Sequence, residues 1–163
     1  MLTIQFRKGD IFHEGIQLCD VIAIIGHYGM DFRRDYTEFM GQYPASEAIS
    51  NPFEEQHFQL IPYGNKYLCC IKGERMSDDE CKTTIDRLLS LISQKNLRSV
   101  AFTGVRVAEN NVELDNLRVR FTVDRIVDWY EENRKGTTLE KVLLIARSDN
   151  FTRNYQNDII VEP

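Results

Sequence analysis

The chain has 163 residues, which is the size of one domain and enough to bury roughly two-thirds of the surface that its unfolded form exposes. Hydrophobic residues make up 42% and charged residues 28%, a balance that excludes disordered, collagen-like and low-complexity classes. The net charge of −5 argues against a nucleic-acid binder, because general affinity for a phosphate backbone needs an excess of Lys and Arg. We therefore expect a single globular domain over residues 1–163.

The four cysteines follow no disulfide or metal-binding pattern. Cys19, Cys69, Cys70 and Cys81 show no C-x-x-C spacing, so we interpret them as reduced core residues and expect neither a metal nor a cofactor. The longest apolar run, residues 21–25, is far too short to span a bilayer, and no signal-peptide pattern opens the chain. The sequence thus predicts a cytoplasmic protein without a membrane partner.

The patterns of apolar residues predict the strands of a β-sheet. Leu2, Ile4 and Phe6 alternate with polar residues, as in a strand with one buried face. The β-branched run from Val21 to Ile25 ends at Gly26 and is typical of a central strand buried on both faces. Further strands are predicted at residues 57–61 and 66–72, joined by a turn at 62–65, and then at 99–102 and 141–146, the last strand.

Helical spacing of apolar residues predicts the helices that pack on this sheet. One helix covers residues 31–40, and a short one at 45–49 is an open alternative. Ser77 and Glu80 form a capping box at the start of the clearest helix. Its apolar stripe consists of Cys81, Ile85, Leu88, Leu89 and Ile92. A third long helix ends near Gly136 and carries the cluster Arg118, Arg120 and Arg125, which we interpret as a solvated face. A final helix is predicted from Phe151 to about Asn157.

This order of elements predicts an α/β fold with three layers, in which a mixed, largely parallel sheet of about six strands has helices on both faces. Ligands of such sheets bind outside the carboxyl ends of the strands. The segments to inspect are therefore residues 9–15, 26–34, 103–113 and 147–152.

Four phrases lie at the starts and ends of predicted strands, namely Lys8-Gly9-Asp10-Ile11, Cys19-Asp20-Val21-Ile22-Ala23, Leu97-Arg98-Ser99-Val100-Ala101-Phe102 and Lys141-Val142-Leu143-Leu144-Ile145. Together with the order of elements, these phrases resemble the macro domain, the ADP-ribose-binding α/β module. The resemblance spans nearly the whole chain. It implies that Asp10 accepts a hydrogen bond from the adenine amino group, that the backbone of Ile11 faces the base, and that Asn150 or Phe151 packs on it.

Two loops depart from the pattern of that family. Typical members carry Asn-Ala-Ala-Asn and a Gly-rich turn after the second strand, where this chain reads Ile24-Ile25-Gly26-His27-Tyr28-Gly29-Met30-Asp31. The later diphosphate loop keeps one glycine, in Gly104-Val105-Arg106. The resemblance still assigns ligand contacts to Gly26, Gly29, Gly104 and Val105, and Arg106 offers a bidentate phosphate contact in place of lost backbone amides.

His27 is the candidate catalytic residue, because an imidazole acts as acid or base near neutral pH, and Asp31 follows it closely as a carboxylate partner. The first hypothesis is binding of ADP-ribose or a related adenine nucleotide, with hydrolysis of an ADP-ribose ester or phosphate as an added possibility. The alternative is a degenerate domain that binds a protein partner or dimerises through aromatic side chains, namely Tyr28, Phe32, Tyr36, Phe39 and Tyr43.

Overall fold

The structure is a computed structural model that describes residues 1–26, 30–43, 52–53, 59–72, 76–103, 112–146 and 157–162, without the side chains of residues 31 and 112–116. Its strands are β1 (Leu2–Lys8), β2 (Val21–Gly26), β3 (Ile61–Tyr63), β4 (Lys66–Lys72), β5 (Ser99–Thr103), β6 (Lys141–Ala146) and β7 (Ile159–Val161). They form one sheet in the order β3-β4-β2-β5-β6-β1-β7. The strands between the two edges run parallel, and both edge strands, β3 and β7, run antiparallel to their neighbours.

Helices cover both faces of this sheet. A π-helical turn, Ile11–Gly15, continues into α1 (Ile16–Leu18), and the longer helices are α2 (Met30–Gln42), α3 (Asp78–Gln94) and α4 (Val112–Asn133). Helices α3 and α4 bury their apolar side chains in one core, which we call the first core. The π-helical turn, α1 and α2 pack in a second core on the opposite face. The predicted three-layer α/β/α class is confirmed, with one strand more than expected.

Strand β2 is the central strand that the sequence predicts. Val21, Ala23 and Ile25 point into the first core, whereas Ile22 and Ile24 point into the second. All five side chains are buried. A strand buried on both faces needs apolar residues at every position, and the continuous β-branched run supplies them.

The predicted start and stripe of α3 are also confirmed. The Ser77 hydroxyl accepts from the backbone N–H of Glu80, and the Glu80 carboxylate accepts from the backbone N–H of Ser77. This reciprocal pair satisfies two N–H groups that a helix terminus leaves without intrahelical partners. The stripe residues are all buried, namely Cys81, Ile85, Leu88, Leu89 and Ile92.

The cysteines are free and buried, as predicted. Cys69 and Cys70 are adjacent in β4 and therefore point to opposite faces, one into each core. Burial raises the pKa of the Cys19 thiol to about 11 and that of Cys69 to about 12. Both thiols stay protonated at neutral pH, so neither is a ready nucleophile.

The predicted hairpin is displaced. Its first strand covers Ile61–Tyr63, whereas Gln59 and Leu60 lie before it and residues 54–58 lie outside the described residues. The turn narrows to Gly64-Asn65, where Gly64 has a φ of 55° that glycine adopts without steric cost. Pro62 was expected in the turn, but it lies within β3, since an edge strand tolerates a residue without an N–H.

The carboxyl-terminal end of the chain differs from the prediction as well. Residues 159–161 form β7, which pairs with β1, so the strand at 141–146 is not the last one. Three residues are too few to show a periodic signal, which is why the pattern missed them. Of the helix predicted over 151–157, residues 151–156 lie outside the described part, and Asn157 is not helical. The alternative short helix at 45–49 also lies outside it.

The arginines of α4 do not form one solvated face. Arg118 is 7% exposed and donates to the carbonyl oxygens of Met76 (2.8 Å) and Ser77 (3.4 Å). Arg125 is largely buried as well and bonds Asp86 Oδ1 on α3 at 2.6 Å. Only Arg120 of the three is exposed. The prediction was wrong for two residues because their guanidinium groups tie α4 to α3.

Gly15 allows the π-helical turn to approach the sheet closely. A Cβ at this position would lie 3.0 Å from Ile22 Cγ2, 3.1 Å from Ile11 Cγ1 and 3.2 Å from Ala101 Cβ. These distances are shorter than ordinary van der Waals contacts, and Ala101 belongs to β5, which pairs with β2. The turn that follows β1 is therefore seated directly on β2 and β5.

We expect Gly15→Ala to lower the free energy of unfolding by about 1 kcal/mol, because overpacking of about 1–3 kcal/mol exceeds the helical gain of about 0.5–1 kcal/mol. The matched control is Gly41→Ala in α2, where a new Cβ meets no atom within 4 Å and the helical gain should appear alone. Urea denaturation measures both variants. Equal effects of the same sign would contradict the close approach.

Arg118→Ala should lower the free energy of unfolding by about 2–3 kcal/mol, because buried carbonyl oxygens lose charged hydrogen-bond donors. Arg120→Ala removes the same group from an exposed position of the same helix and should change the stability by less than about 0.5 kcal/mol. Thermal and urea unfolding of the two variants test this difference. Similar losses in both would contradict a specific contribution of the buried Arg118 hydrogen bonds.

Candidate functional site

A crevice is expected at the carboxyl ends of β2 and β5, where the chain leaves in opposite directions. The two strands are parallel neighbours. Strand β2 is followed by α2, which packs on the second core, whereas β5 is followed by α4, which packs on the first. Neighbouring strands whose connections diverge to opposite faces leave a gap between them, and this is the usual ligand position in open α/β sheets.

The pairing of the strands changes at the same place. The β2–β5 ladder ends at the pair Ala23↔Phe102. Both strands nevertheless continue to the edge with their outer neighbours, since Gly26 pairs with Lys72 and Thr103 pairs with Ile145. Among the described residues, the β2–β5 ladder therefore stops one residue before the end of β5, at the position where the topology predicts the crevice.

Asp10 lies at the same edge, beyond the end of β1. Its carboxylate Oδ1 accepts from the backbone N–H of Phe12 at 2.9 Å, and its carbonyl oxygen accepts from the N–H groups of His13 and Glu14. The preceding residue, Gly9, donates its N–H to the carbonyl oxygen of Ala146 at the end of β6. These bonds fix the orientation of the Asp10 carboxylate, which caps the turn and stays partly exposed.

Two further predicted ligand contacts fall on described residues. The side chain of Ile11 is buried in the second core, so its backbone is the part that can face a ligand. Gly26 ends β2 and is half-buried, and a Cβ added there would meet no atom within 4 Å. The structure therefore brings Asp10 and Ile11, which follow β1, to the same edge of the sheet as Gly26, which ends β2.

The other predicted site residues lie outside the described part of the chain. The backbone of Asp31 belongs to the first turn of α2, but its side chain is not described. For the rest, neither position nor contacts are described: His27, Gly29, Gly104, Val105, Arg106, Asn150 and Phe151.

Four of the five aromatic side chains that motivated the protein-partner alternative pack in or against the second core. Tyr36 and Phe39 are buried in the second core, and Phe32 stacks on Tyr36 with ring centroids 5.4 Å apart. Tyr43 packs on Phe39 at 5.4 Å. Tyr28, the fifth member, lies outside the described residues. The helical spacing of the aromatic residues in α2 reflects their packing on the sheet.

The sequence analysis did not identify Thr103 as a site residue, because the pattern predicts only that a strand ends there. Its hydroxyl oxygen accepts from the backbone N–H of Ile25 on β2 at 3.1 Å. A threonine that ends an apolar strand gives a weak signal, because it is also a common strand residue. Its partner lies on a strand 78 residues away in sequence, so only the fold reveals the contact.

The described part of the chain shows neither a metal site nor a membrane span. No three side chains of His, Cys, Asp or Glu in these ranges come close enough together to hold a metal ion. None of the described helices has both the length and the apolar character needed to cross a membrane.

Comparison with known proteins identifies the fold. No protein-family profile matches the chain, and no curated protein does. The Trypanosoma brucei macrodomain in complex with ADP superposes with a TM-score of 0.64 at 16% identity, over 94% of this chain and 67% of that one. The Oceanobacillus iheyensis macrodomain with MES bound gives a TM-score of 0.58 at 17% identity, over 95% and 89% of the two chains.

A larger enzyme shares the same architecture. Tomato leucine aminopeptidase superposes with a TM-score of 0.57 at 9% identity, over 91% of this chain, which spans 33% of that protein. At these identities the superpositions establish the fold alone. The chain has the macrodomain fold, as the resemblance in its sequence implies.

Proposed function

We propose that this protein binds ADP-ribose or a related adenine nucleotide at the carboxyl edge of its sheet. The observation that carries the proposal is the oriented carboxylate of Asp10 at that edge. The fold adds support, since macrodomains of Trypanosoma brucei that superpose on this chain were solved in complex with ADP-ribose and with ADP.

Asp10 has the chemistry to recognise adenine. A carboxylate is only an acceptor at neutral pH, and it offers about four lone-pair positions, so it accepts from more than one donor. The bond from Phe12 holds one oxygen in place. The exocyclic amino group of adenine is a donor, whereas the carbonyl oxygen of hypoxanthine at the same ring position is an acceptor. Asp10 should therefore distinguish the two bases.

The remainder of the nucleotide has room along the same edge. Strand β6 separates β1 from β5, so the end of β1 lies about two strand spacings, or about 10 Å, from the crevice. We propose that the diphosphate and the distal ribose extend from Asp10 over this distance. Contacts proposed for them come from Gly26 and from residues outside the described part, namely Gly29, Gly104, Val105 and Arg106. Asn150 or Phe151 is proposed to pack on the adenine.

Wild-type protein should bind ADP at least about tenfold more tightly than inosine diphosphate, because a buried charged hydrogen bond contributes about 1.5–3 kcal/mol. Asp10→Asn should reduce this preference to about threefold or less, since an amide can donate as well as accept. Isothermal titration calorimetry measures all four affinities. An inability of wild-type protein to bind either nucleotide at millimolar concentration would refute the proposed function.

The matched control is Asp20→Asn. Asp20 precedes β2 at the opposite edge of the sheet, where its carboxylate accepts from the backbone N–H of Arg98 at 2.9 Å. The same change of charge there should leave the preference for ADP intact. If Asp10→Asn also leaves the preference for ADP intact, a residue other than Asp10 distinguishes adenine from hypoxanthine.

Hydrolysis of an ADP-ribose ester or phosphate is a further part of this proposal. It depends on His27, which directly follows β2, and on Asp31, whose backbone lies in the first turn of α2. In the sequence, both residues follow β2, whose carboxyl end borders the proposed crevice. An imidazole with a carboxylate partner can transfer a proton to a leaving group.

If hydrolysis occurs, His27→Ala should lower the turnover of a mono-ADP-ribosylated carboxylate by about 100-fold or more, because general acid–base catalysis contributes about 10²–10⁴-fold. Chromatography of released ADP-ribose measures the rate, and calorimetry checks that binding persists. His13→Ala, which removes an exposed histidine, is the control. Turnover that survives His27→Ala would exclude His27 as the catalytic group.

A further inference from the structure

The β2–β5 junction contains one hydrogen bond that a regular parallel sheet does not. Ile25 lies two residues beyond Ala23, the last residue of β2 that pairs with β5. In a continuing parallel ladder its N–H would donate to a backbone carbonyl of β5. It donates instead to the side-chain oxygen of Thr103, in partly buried surroundings. Among the described residues, this threonine hydroxyl connects the two strands beyond their last ladder pair.

This connection lies beyond the last β2–β5 ladder pair, where each strand continues to pair with its other neighbour. Gly26 continues to pair with Lys72 on one side, and Thr103 continues to pair with Ile145 on the other. The Thr103 hydroxyl group belongs to a side chain of β5 and accepts from the backbone of β2, so it joins the two strand ends beyond their last ladder pair.

We infer that Thr103 is a positioning residue of the proposed nucleotide site, an inference that depends on the proposed function. It acts through Ile25, because its hydroxyl fixes the end of β2 relative to β5. Without it, the N–H of Ile25 has no acceptor on β5, and the two strands are held together only up to Ala23 and Phe102. The crevice then loses its fixed width, and a ligand must order the strand ends when it binds.

Three variants test this role. Thr103→Val keeps the shape and removes the acceptor, whereas Thr103→Ser keeps the hydroxyl. Thr138→Val is the matched control, because Thr138 is also partly buried and bonds a backbone group, the carbonyl oxygen of Leu97, at the opposite edge of the sheet. Each variant is assayed by calorimetry with ADP-ribose and by NMR hydrogen exchange of the Ile25 amide, with the Ala23 amide in the same strand as reference.

In Thr103→Val we expect the Kd for ADP-ribose to rise about tenfold or more, and the Ile25 amide to exchange about tenfold faster relative to Ala23. Thr103→Ser and Thr138→Val should keep both values within about threefold of wild type. The preference for ADP over inosine diphosphate should persist in all three, because Asp10 follows β1, which does not pair with β2 or β5.

The outcomes separate the inference from the function on which it depends. Faster exchange of the Ile25 amide with unchanged affinity in Thr103→Val would show that Thr103 has a structural role only. Unchanged exchange would show that its hydroxyl does not hold Ile25. Either result overturns the inference, although nucleotide binding by the protein would still stand. Wild-type protein that binds no ADP-ribose overturns both. Loss of affinity together with faster exchange, restored in Thr103→Ser, supports the positioning role.

Discussion

Burial of β2 on both faces is the constraint on which the architecture depends. Its five apolar residues, 21–25, are buried in two separate cores, and each of the four Val and Ile side chains contributes about 1.5–3 kcal/mol when it is removed from water. Both faces of the strand must therefore be covered by helices. Helices α3 and α4 cover one face, and α1 and α2 cover the other, so connections from neighbouring parallel strands have to diverge. The crevice expected between β2 and β5 follows from this requirement.

The same constraint explains why the candidate site is distributed over several strands. Asp10 follows β1, Gly26 ends β2 and Thr103 ends β5, and these strands come from distant parts of the chain. Rigid packing holds each of them: the π-helical turn after β1 rests on Ile22 and Ala101 through Gly15, and the Thr103 hydroxyl holds Ile25. A nucleotide that spans this edge would contact groups whose separations are set by the sheet, which limits the ordering cost of binding.

The sequence predicted the elements that have a strong periodic or capping signal. Strands β1, β2, β4, β5 and β6 and helices α2, α3 and α4 occur where apolar patterns place them, because each buries a continuous run or stripe of side chains. Prediction was weaker where tertiary contacts override local preference. Pro62 belongs to an edge strand, residues 159–161 gain their strand geometry only by pairing with β1, and Arg118 is buried because backbone carbonyls of another segment accept its protons.

The amino-acid sequence by itself determined the α/β class, the central position of β2, the burial of the cysteines and the presence of Asp10 in the loop after β1, since all of these depend on residue type and local order. Only the tertiary structure decided the strand order, the two antiparallel edges, the placement of the aromatic rings of α2 in the core and the contact between Thr103 and Ile25. Each of these joins residues that are far apart in the chain, and the free energy that selects such contacts comes from packing and hydrogen bonding that no local pattern encodes.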